Sequence, residues 1–135
     1  MASIHKEVSL RASPDAVWDV VRDVGAVHTR FAPGFVVNVE MEDGARVVTF
    51  SNGFVAREVI IDVDNGARRL AYSVRSEPLS HHNASFQVFP EAGGSRLVWI
   101  ADVLPHEAAE TVGGMMEAGI TVAKRTLDAL AAQPA

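Results

Sequence analysis

Hydrophobic and polar residues alternate along most of this chain up to position 104. Ile4, Val8 and Leu10 share one face of the first segment, and a period of two is typical of a β-strand. Six further segments follow, separated by turn signals such as Ser51-Asn52-Gly53. They run over Phe35 to Met41, Arg46 to Phe50, Val55 to Val63, Arg69 to Ser76, Ser80 to Phe89 and Arg96 to Leu104. Because no helix interrupts them, we expect an antiparallel meander.

Helical spacing replaces the alternation in two places. Ser13-Pro14-Asp15 is a helix start signal, because serine caps a helix, proline suits its first turn and aspartate favours its positive end. Apolar residues continue this helix at Val17, Val20, Val21 and Val24. Gly25 is a natural stop, and a second short turn or helix is predicted at Val27 to Phe31. One apolar helical face in the last quarter predicts a long helix from Glu107 to Ala132.

Composition limits the classes of function that this chain can serve. The sequence has no cysteine, which excludes disulfides, thiolate catalysis and cysteine-ligated metals. Its net charge of −5 argues against nucleic acid as the main partner. The first residues lack the apolar core of a signal peptide, and no apolar stretch reaches the roughly 20 residues of a membrane helix. We therefore expect a cytoplasmic protein without membrane insertion, a monomer or homodimer, with a single domain over residues 1–135.

Several motifs, taken in their order along the chain, resemble the START and polyketide-cyclase-like superfamily, which includes the plant abscisic acid receptors. Ser13 to Trp18 is similar to its Ala-Pro-x-x-x-Val-Trp opening, and Gly53 to Asp64 looks like its Glu-Arg-Leu-x-x-Leu-Asp-Asp strand. Leu70 to Val74, Val98-Trp99 and the closing Leu127-x-x-Leu130 add to the resemblance. It implies an α+β helix-grip fold. In that fold a curved seven-stranded antiparallel sheet, with two short helices after strand 1, encloses a cavity with a long C-terminal helix.

The resemblance and the alternation together predict which side chains face this cavity. On the sixth strand His82, Ala84 and Phe86 share one face. The full predicted ligand-binding set is Val37, Phe50, Glu58, Tyr72, Val74, His82, Ala84, Phe86, Val98, Met115, Gly119 and Val122. Trp99 lies opposite Val98 by alternation and is expected outside the cavity. Phe31, Pro33 and Phe35 are expected near its entrance.

Glu58 is assigned to different faces by the two lines of reasoning. The alternation puts Val55, Arg57 and Val59 on the apolar face, which leaves Glu58 outside. By resemblance, the glutamate of the Glu-Arg-Leu motif faces the cavity, and a β-bulge near Gly53 would reset the register accordingly. We expect the inward orientation.

His82, Tyr72 and Glu58 are the candidate catalytic residues, because these polar groups would then converge in an apolar space. His82 has three open roles, which are a general base, a hydrogen-bond partner for a ligand oxygen, and a purely structural histidine. His81 and His82 do not form a metal pair, since neighbours on a strand point to opposite faces. No motif for a metal or a cofactor is present, so none is predicted.

Three functions fit this reading. The first is binding of a small hydrophobic molecule, such as a lipid, a polyketide or a similar metabolite, in the cavity. The second is a cofactor-independent cyclase or dehydratase acting on a polyketide-like substrate, in which His82 with Tyr72 or Glu58 moves protons. The third is a protein-interaction module with a collapsed cavity. An acid–base pair within hydrogen-bond reach would favour the enzyme, and a lone His82 would favour binding.

Overall fold

The computed structural model describes residues 2–77 and 79–132. Its strands are β1 (Ala2–Leu10), β2 (Val36–Glu42), β3 (Ala45–Phe50), β4 (Val55–Asp64), β5 (Arg69–Arg75), β6 (His81–Glu91) and β7 (Gly94–Leu104). The helices are α1 (Pro14–Val21) and α2 (Ala109–Ala132). A π-helical turn (Val27–Phe31) follows α1, and a 3-10 turn (His106–Ala108) precedes α2. The predicted order of elements is confirmed.

The seven strands form one antiparallel sheet in the order β1-β7-β6-β5-β4-β3-β2. Strands β2 to β7 form the predicted meander, and β1 pairs along its whole length with β7, from Ala2 opposite Val103 to Leu10 opposite Ser95. The long helix α2 packs on the concave face of the sheet. The predicted α+β helix-grip fold is confirmed.

The first helix begins where the sequence predicts and ends earlier. The Ser13 hydroxyl accepts a hydrogen bond from the Ala16 amide at 3.2 Å, which is the expected N-cap. The helix stops at Val21, because the Asp23 amide turns back to the Val20 carbonyl at 3.1 Å. The carbonyl of Val24 therefore lies outside the helix and is available to a side chain of the sheet.

Two β-bulges interrupt the register of β2 and β4. The register shifts between Val36 and Asn38 in β2, and between Ile60 and Asp62 in β4. An extra residue in a strand has no partner opposite it and is displaced from the ladder. Val37 is 52% exposed for this reason. The bulge expected near Gly53 is not found there, because β4 pairs with β3 in unbroken register from Val55 to Val59. The β4 bulge lies beyond Glu58 and does not set the direction of that side chain.

Helix α2 is held to the sheet by its apolar face and by polar contacts to β1. Ala123 and Leu127 are fully buried. Near the middle of the helix, Glu117 forms an ion pair with Lys6 of β1 at 3.2 Å. Lys6 stands opposite Trp99 in the register, so it projects from the concave face toward the helix.

Asp128 fastens the C-terminal half of α2 to the segment that follows β1. Its buried carboxylate accepts hydrogen bonds from the Arg11 amide and from Lys124 Nζ, each at 3.0 Å. Lys124 Nζ also donates to the Ser9 carbonyl at 2.7 Å. Burial by itself would raise the pKa of Asp128, but the hydrogen bonds and positive charges of Arg11 and Lys124 outweigh it and leave this pKa lowered.

We expect Asp128→Asn to cost about 1–3 kcal/mol of the free energy of unfolding at neutral pH, because charge-assisted hydrogen bonds to a buried group are lost. Since the pKa of Asp128 is lower in the folded than in the unfolded chain, its contribution is present above about pH 4 and is lost as the pH falls through the folded value. Urea unfolding across this pH range measures both effects. Glu117→Gln is the matched control on the same helix, because its ion pair is exposed and worth at most about 1 kcal/mol. Equal pH profiles for wild type and Asp128→Asn would contradict this account.

Candidate ligand cavity

A cavity of about 430 Å³ lies between the concave face of the sheet and α2. The sheet contributes its wall from β2 to β7, and the helical side consists of α1, the π-helical turn, the 3-10 turn and α2. Most of the wall is aliphatic or aromatic. Only a few polar side chains interrupt it, and those that lie on the sheet are Arg46, Glu58, Tyr72 and His82.

Stacked aromatic rings form the floor of the cavity. Phe86 stacks on Trp99 with ring centroids 4.6 Å apart and on Tyr72 at 6.1 Å. Phe31 of the π-helical turn meets Phe86 edge to face at 5.1 Å. The order follows from the register, in which Trp99 and Leu70 stand opposite Phe86 and Tyr72 is two residues along β5. This floor is rigid and apolar, and it suits flat or aliphatic ligand groups.

A second aromatic group lies at the other side of the cavity. Phe35 meets Phe50 edge to face at 5.4 Å, and Phe50 lies 5.9 Å from Phe54. The ring of Phe35 reaches α2 at Gly119, where an added Cβ would lie 2.9 Å from Phe35 Cε2 and 3.2 Å from Trp99 Cζ3. A residue without a side chain is therefore required at position 119 for both rings to pack against the helix.

Arg46 and Glu58 form a buried ion pair on the cavity wall. Arg46 Nε donates to Glu58 Oε1 at 2.8 Å, and Arg46 Nη1 donates to the Val24 carbonyl at 3.2 Å. The side chains are only 4% and 10% exposed. The two residues stand directly opposite each other in the register of β3 and β4, so they share the concave face. Glu58 therefore points inward, as the resemblance implied and the simple alternation did not.

Arg46 was missing from the predicted site, although its signal was present in the sequence. Phe50 was assigned to the inner face of β3, and the period of two places Arg46 on that same face. A charged residue on an apolar face indicates a buried partner, since an unpaired charge there would be costly. Glu58, which lies on the next strand, is that partner.

Tyr72 is buried and joined to Trp99. The Trp99 indole donates to the Tyr72 hydroxyl at 3.0 Å, and the Arg46 guanidinium lies 5.2 Å from the centre of the Tyr72 ring. Burial and the negative charge of Glu58 raise the pKa of Tyr72 far above its usual range. The hydroxyl therefore keeps its proton, and within the described part of the chain no acceptor receives it.

His82 also lies on the wall, toward the loop between β5 and β6. Its Nδ1 is buried and has no hydrogen-bond partner among residues 2–77 and 79–132. Burial, and to a lesser extent the neighbouring His81, lower the pKa of His82, so its imidazole is neutral at pH 7. A neutral ring with an unsatisfied nitrogen can bind a polar group of a ligand.

The model of the polyketide cyclase/dehydrase and lipid transport family matches residues 1–133. The chain belongs to this family. The description of this family names polyketide cyclases, dehydrases and lipid transport. A search of curated proteins found no match.

Solved structures share the fold of this family member at low sequence identity. The protein XoxI from Bacillus cereus is 16% identical, with 96% of this chain and 98% of that chain covered and a TM-score of 0.84. A START superfamily protein from Mycobacterium smegmatis is 13% identical, with 95% and 98% covered and a TM-score of 0.76. Norcoclaurine synthase from Thalictrum flavum, in complex with dopamine and hydroxybenzaldehyde, is 22% identical, with 99% and 89% covered and a TM-score of 0.71. At these identities the likeness concerns the fold.

The predicted polar residues of this family member do not form one hydrogen-bonded group. Glu58 on β4 and His82 on β6 are separated by β5, which puts their backbones about 10 Å apart. In the described residues, His82 makes no hydrogen bond to Tyr72 or Glu58. Glu58 is instead paired with Arg46, which was not predicted.

Eight of the twelve predicted ligand-binding residues lie on the cavity wall, and four do not. Those on the wall are Phe50, Glu58, Tyr72, Val74, His82, Phe86, Met115 and Gly119. Val37 is displaced outward by the β2 bulge, and Val36 takes its place on the wall. Ala84 is on the concave face but belongs to the packed core, and Val122 packs against the same core about one turn beyond Gly119.

Val98 and Trp99 exchange the positions that were expected for them. Val98 stands opposite Gln87 of β6, on the outer face of the sheet, whereas Trp99 stands opposite Phe86 and lines the cavity. Alternation showed that the two residues point in opposite directions but could not show which one faces inward. At the expected entrance, Phe31 and Phe35 lie on the wall and Pro33 is exposed.

No helix formed by residues 2–77 and 79–132 is long and apolar enough to cross a membrane. The same ranges hold no group of three or more histidine, aspartate or glutamate side chains placed to bind a metal ion.

Proposed function

We propose that this protein binds a small hydrophobic molecule, such as a lipid, a polyketide or a related metabolite, in the cavity between the sheet and α2. The observation that carries the proposal is the open space of about 430 Å³ with an aromatic floor. Cavities of about 300–1,000 Å³ with apolar walls and few polar groups are typical of small-molecule sites. Burial of apolar ligand surface would supply most of the affinity, at about 25 cal/mol per Å² before the costs of association.

In this proposal the ligand lies on the floor formed by Phe86 and Trp99 and meets polar groups at its ends. Tyr72 offers a hydroxyl proton, Glu58 a carboxylate oxygen and His82 an unsatisfied ring nitrogen. Met115 adds a flexible apolar surface from α2, which adapts to ligand shape. The cytoplasmic location and the single domain over residues 1–135 stay predictions.

The test is to purify the protein from its native host and compare mass spectra under native and denaturing conditions. We expect a protein–ligand mass in the native spectrum and release of one apolar compound on denaturation. A protein that carries no compound and shows no thermal shift with a panel of hydrophobic metabolites would refute the proposal. The open cavity argues against the third candidate function, a protein-interaction module with a collapsed cavity.

A cofactor-independent cyclase or dehydratase is the second candidate, and His82 is the observation that favours it. A neutral imidazole with a buried, unpartnered Nδ1 is able to accept a proton from a bound substrate. Against it, no acid or base of the described chain is hydrogen-bonded to His82, and Glu58 Oε1 is already occupied by the hydrogen bond from Arg46. A cyclised or dehydrated product in the released compound, absent from a His82→Ala variant, would decide for the enzyme.

A further inference from the structure

The polar end of the cavity carries two opposite charges that balance each other. Arg46 and Glu58 are 4% and 8% exposed, and their hydrogen bond of 2.8 Å brings them into direct contact. Glu77 is the other charged residue on the described wall, and it is exposed on the loop between β5 and β6. The interior of the cavity is therefore close to neutral overall.

This pair still has hydrogen-bonding capacity on both sides. Arg46 uses Nε for Glu58 and Nη1 for the Val24 carbonyl, and Glu58 uses Oε1. Arg46 Nη2 and Glu58 Oε2 have no hydrogen-bond partner in residues 2–77 and 79–132. Neither atom is among the completely buried polar atoms that lack a partner in that part of the chain, so both are accessible from the cavity. One donor and one acceptor are thus open beside the Tyr72 ring, whose hydroxyl is a further donor.

A charged ligand would disturb this balance. A carboxylate could reach the open Nη2 of Arg46, but it would add a second negative charge beside Glu58, and a single buried guanidinium would have to balance both. An ammonium group on Glu58 Oε2 would likewise add a second positive charge beside Arg46. A hydroxyl or carbonyl group accepts from Arg46 or Tyr72, and a hydroxyl also donates to Glu58, without breaking the ion pair.

We propose that the cavity selects uncharged ligands whose polar end carries a hydroxyl or carbonyl oxygen, and that it discriminates against carboxylates and amines. The neutral Arg46–Glu58 pair and the Tyr72 hydroxyl are the selecting groups. This inference rests on the proposed binding function and adds the chemical class of the ligand.

Four probes with one common ring system test the selection by isothermal titration calorimetry at pH 7. They are naphthalene, 2-naphthol, 2-naphthoate and 2-naphthylmethylammonium. We expect 2-naphthol to bind about tenfold tighter than each charged probe and about fivefold tighter than naphthalene, since 2-naphthol alone offers a hydroxyl group to the pair without adding a charge.

Substitutions within the pair separate this selection from the general cost of burying a charge. Glu58→Gln leaves the Arg46 charge unbalanced, so 2-naphthoate should gain about tenfold in affinity relative to wild type. Arg46→Gln should produce the opposite change and favour 2-naphthylmethylammonium. The double variant Arg46→Gln/Glu58→Gln is neutral again and should favour neither charged probe. If a single variant does not fold, the wild-type series and the double variant carry the test.

The outcomes separate this inference from the binding function. Equal affinities for the four probes, or no gain of 2-naphthoate in folded Glu58→Gln, would overturn the selection while leaving the cavity a binding site. Failure of the wild-type protein to bind any of the four probes would overturn both.

Discussion

Removal of either partner of the Arg46–Glu58 pair is expected to cost about 3–5 kcal/mol of the free energy of unfolding, because the remaining charge stays buried without compensation. Arg46→Met and Glu58→Leu are the substitutions, since each replaces the charged side chain with an apolar one of similar length. Urea unfolding at pH 7, followed by circular dichroism, measures the loss. Arg46 and Glu58 are 4% and 8% exposed. A loss this large would show that each buried charge depends on the other for its compensation.

The double variant Arg46→Met/Glu58→Leu should recover most of this loss, since a well-packed apolar pair is often as stable as a buried ion pair. An exposed pair of the same geometry is the matched control. Arg57 Nε donates to Glu42 Oε1 at 2.8 Å, but these side chains are 47% and 50% exposed. Glu42→Gln should therefore cost at most about 1 kcal/mol. Equal losses at the buried and exposed pairs would show that burial is not the cause.

Gly119→Leu is expected to weaken binding of a ligand such as 2-naphthol about 10- to 100-fold. The new side chain would begin 2.9 Å from Phe35 Cε2 and 3.2 Å from Trp99 Cζ3, so at least one of these two rings on the cavity wall must move. Overpacking of this kind costs about 1–3 kcal/mol. A ligand that has to displace a ring in the variant should lose a similar amount of binding free energy. Calorimetric titration of the variant measures the affinity.

Gly114→Leu is the control for this substitution, because it lies on the same helix and an added Cβ meets no atom within 4 Å. Its binding should equal that of the wild type, and its stability should rise by about 0.5–1 kcal/mol, since glycine is a poor helix former. Unchanged affinity in Gly119→Leu, or an equal loss in both variants, would contradict the placement of Gly119 at the cavity wall.

Arg46, Trp99 and Val37 have positions in the structure that the sequence did not predict. Arg46 was on the predicted inner face of β3, but its partner lies on β4, and pairing between strands is not a local property of either one. Trp99 and Val98 alternate in any strand, and only the register with Phe86 places Trp99 inward. Val37 is displaced by a β-bulge, and no residue of the sequence around it predicts that bulge.

The order of strands and helices and their approximate bounds follow from the sequence by itself, and the resemblance to a known superfamily implied the helix-grip fold. Alternation, helical spacing, caps and turn residues act over a few positions, so they can be read from neighbouring residues. The inward orientation of Glu58 came from resemblance and not from the alternation of its own strand. Only the tertiary structure decided the Arg46–Glu58 pair, the Tyr72–Trp99 contact and the separation of His82 from both. These features depend on the register between strands, which brings together residues that are distant in the chain.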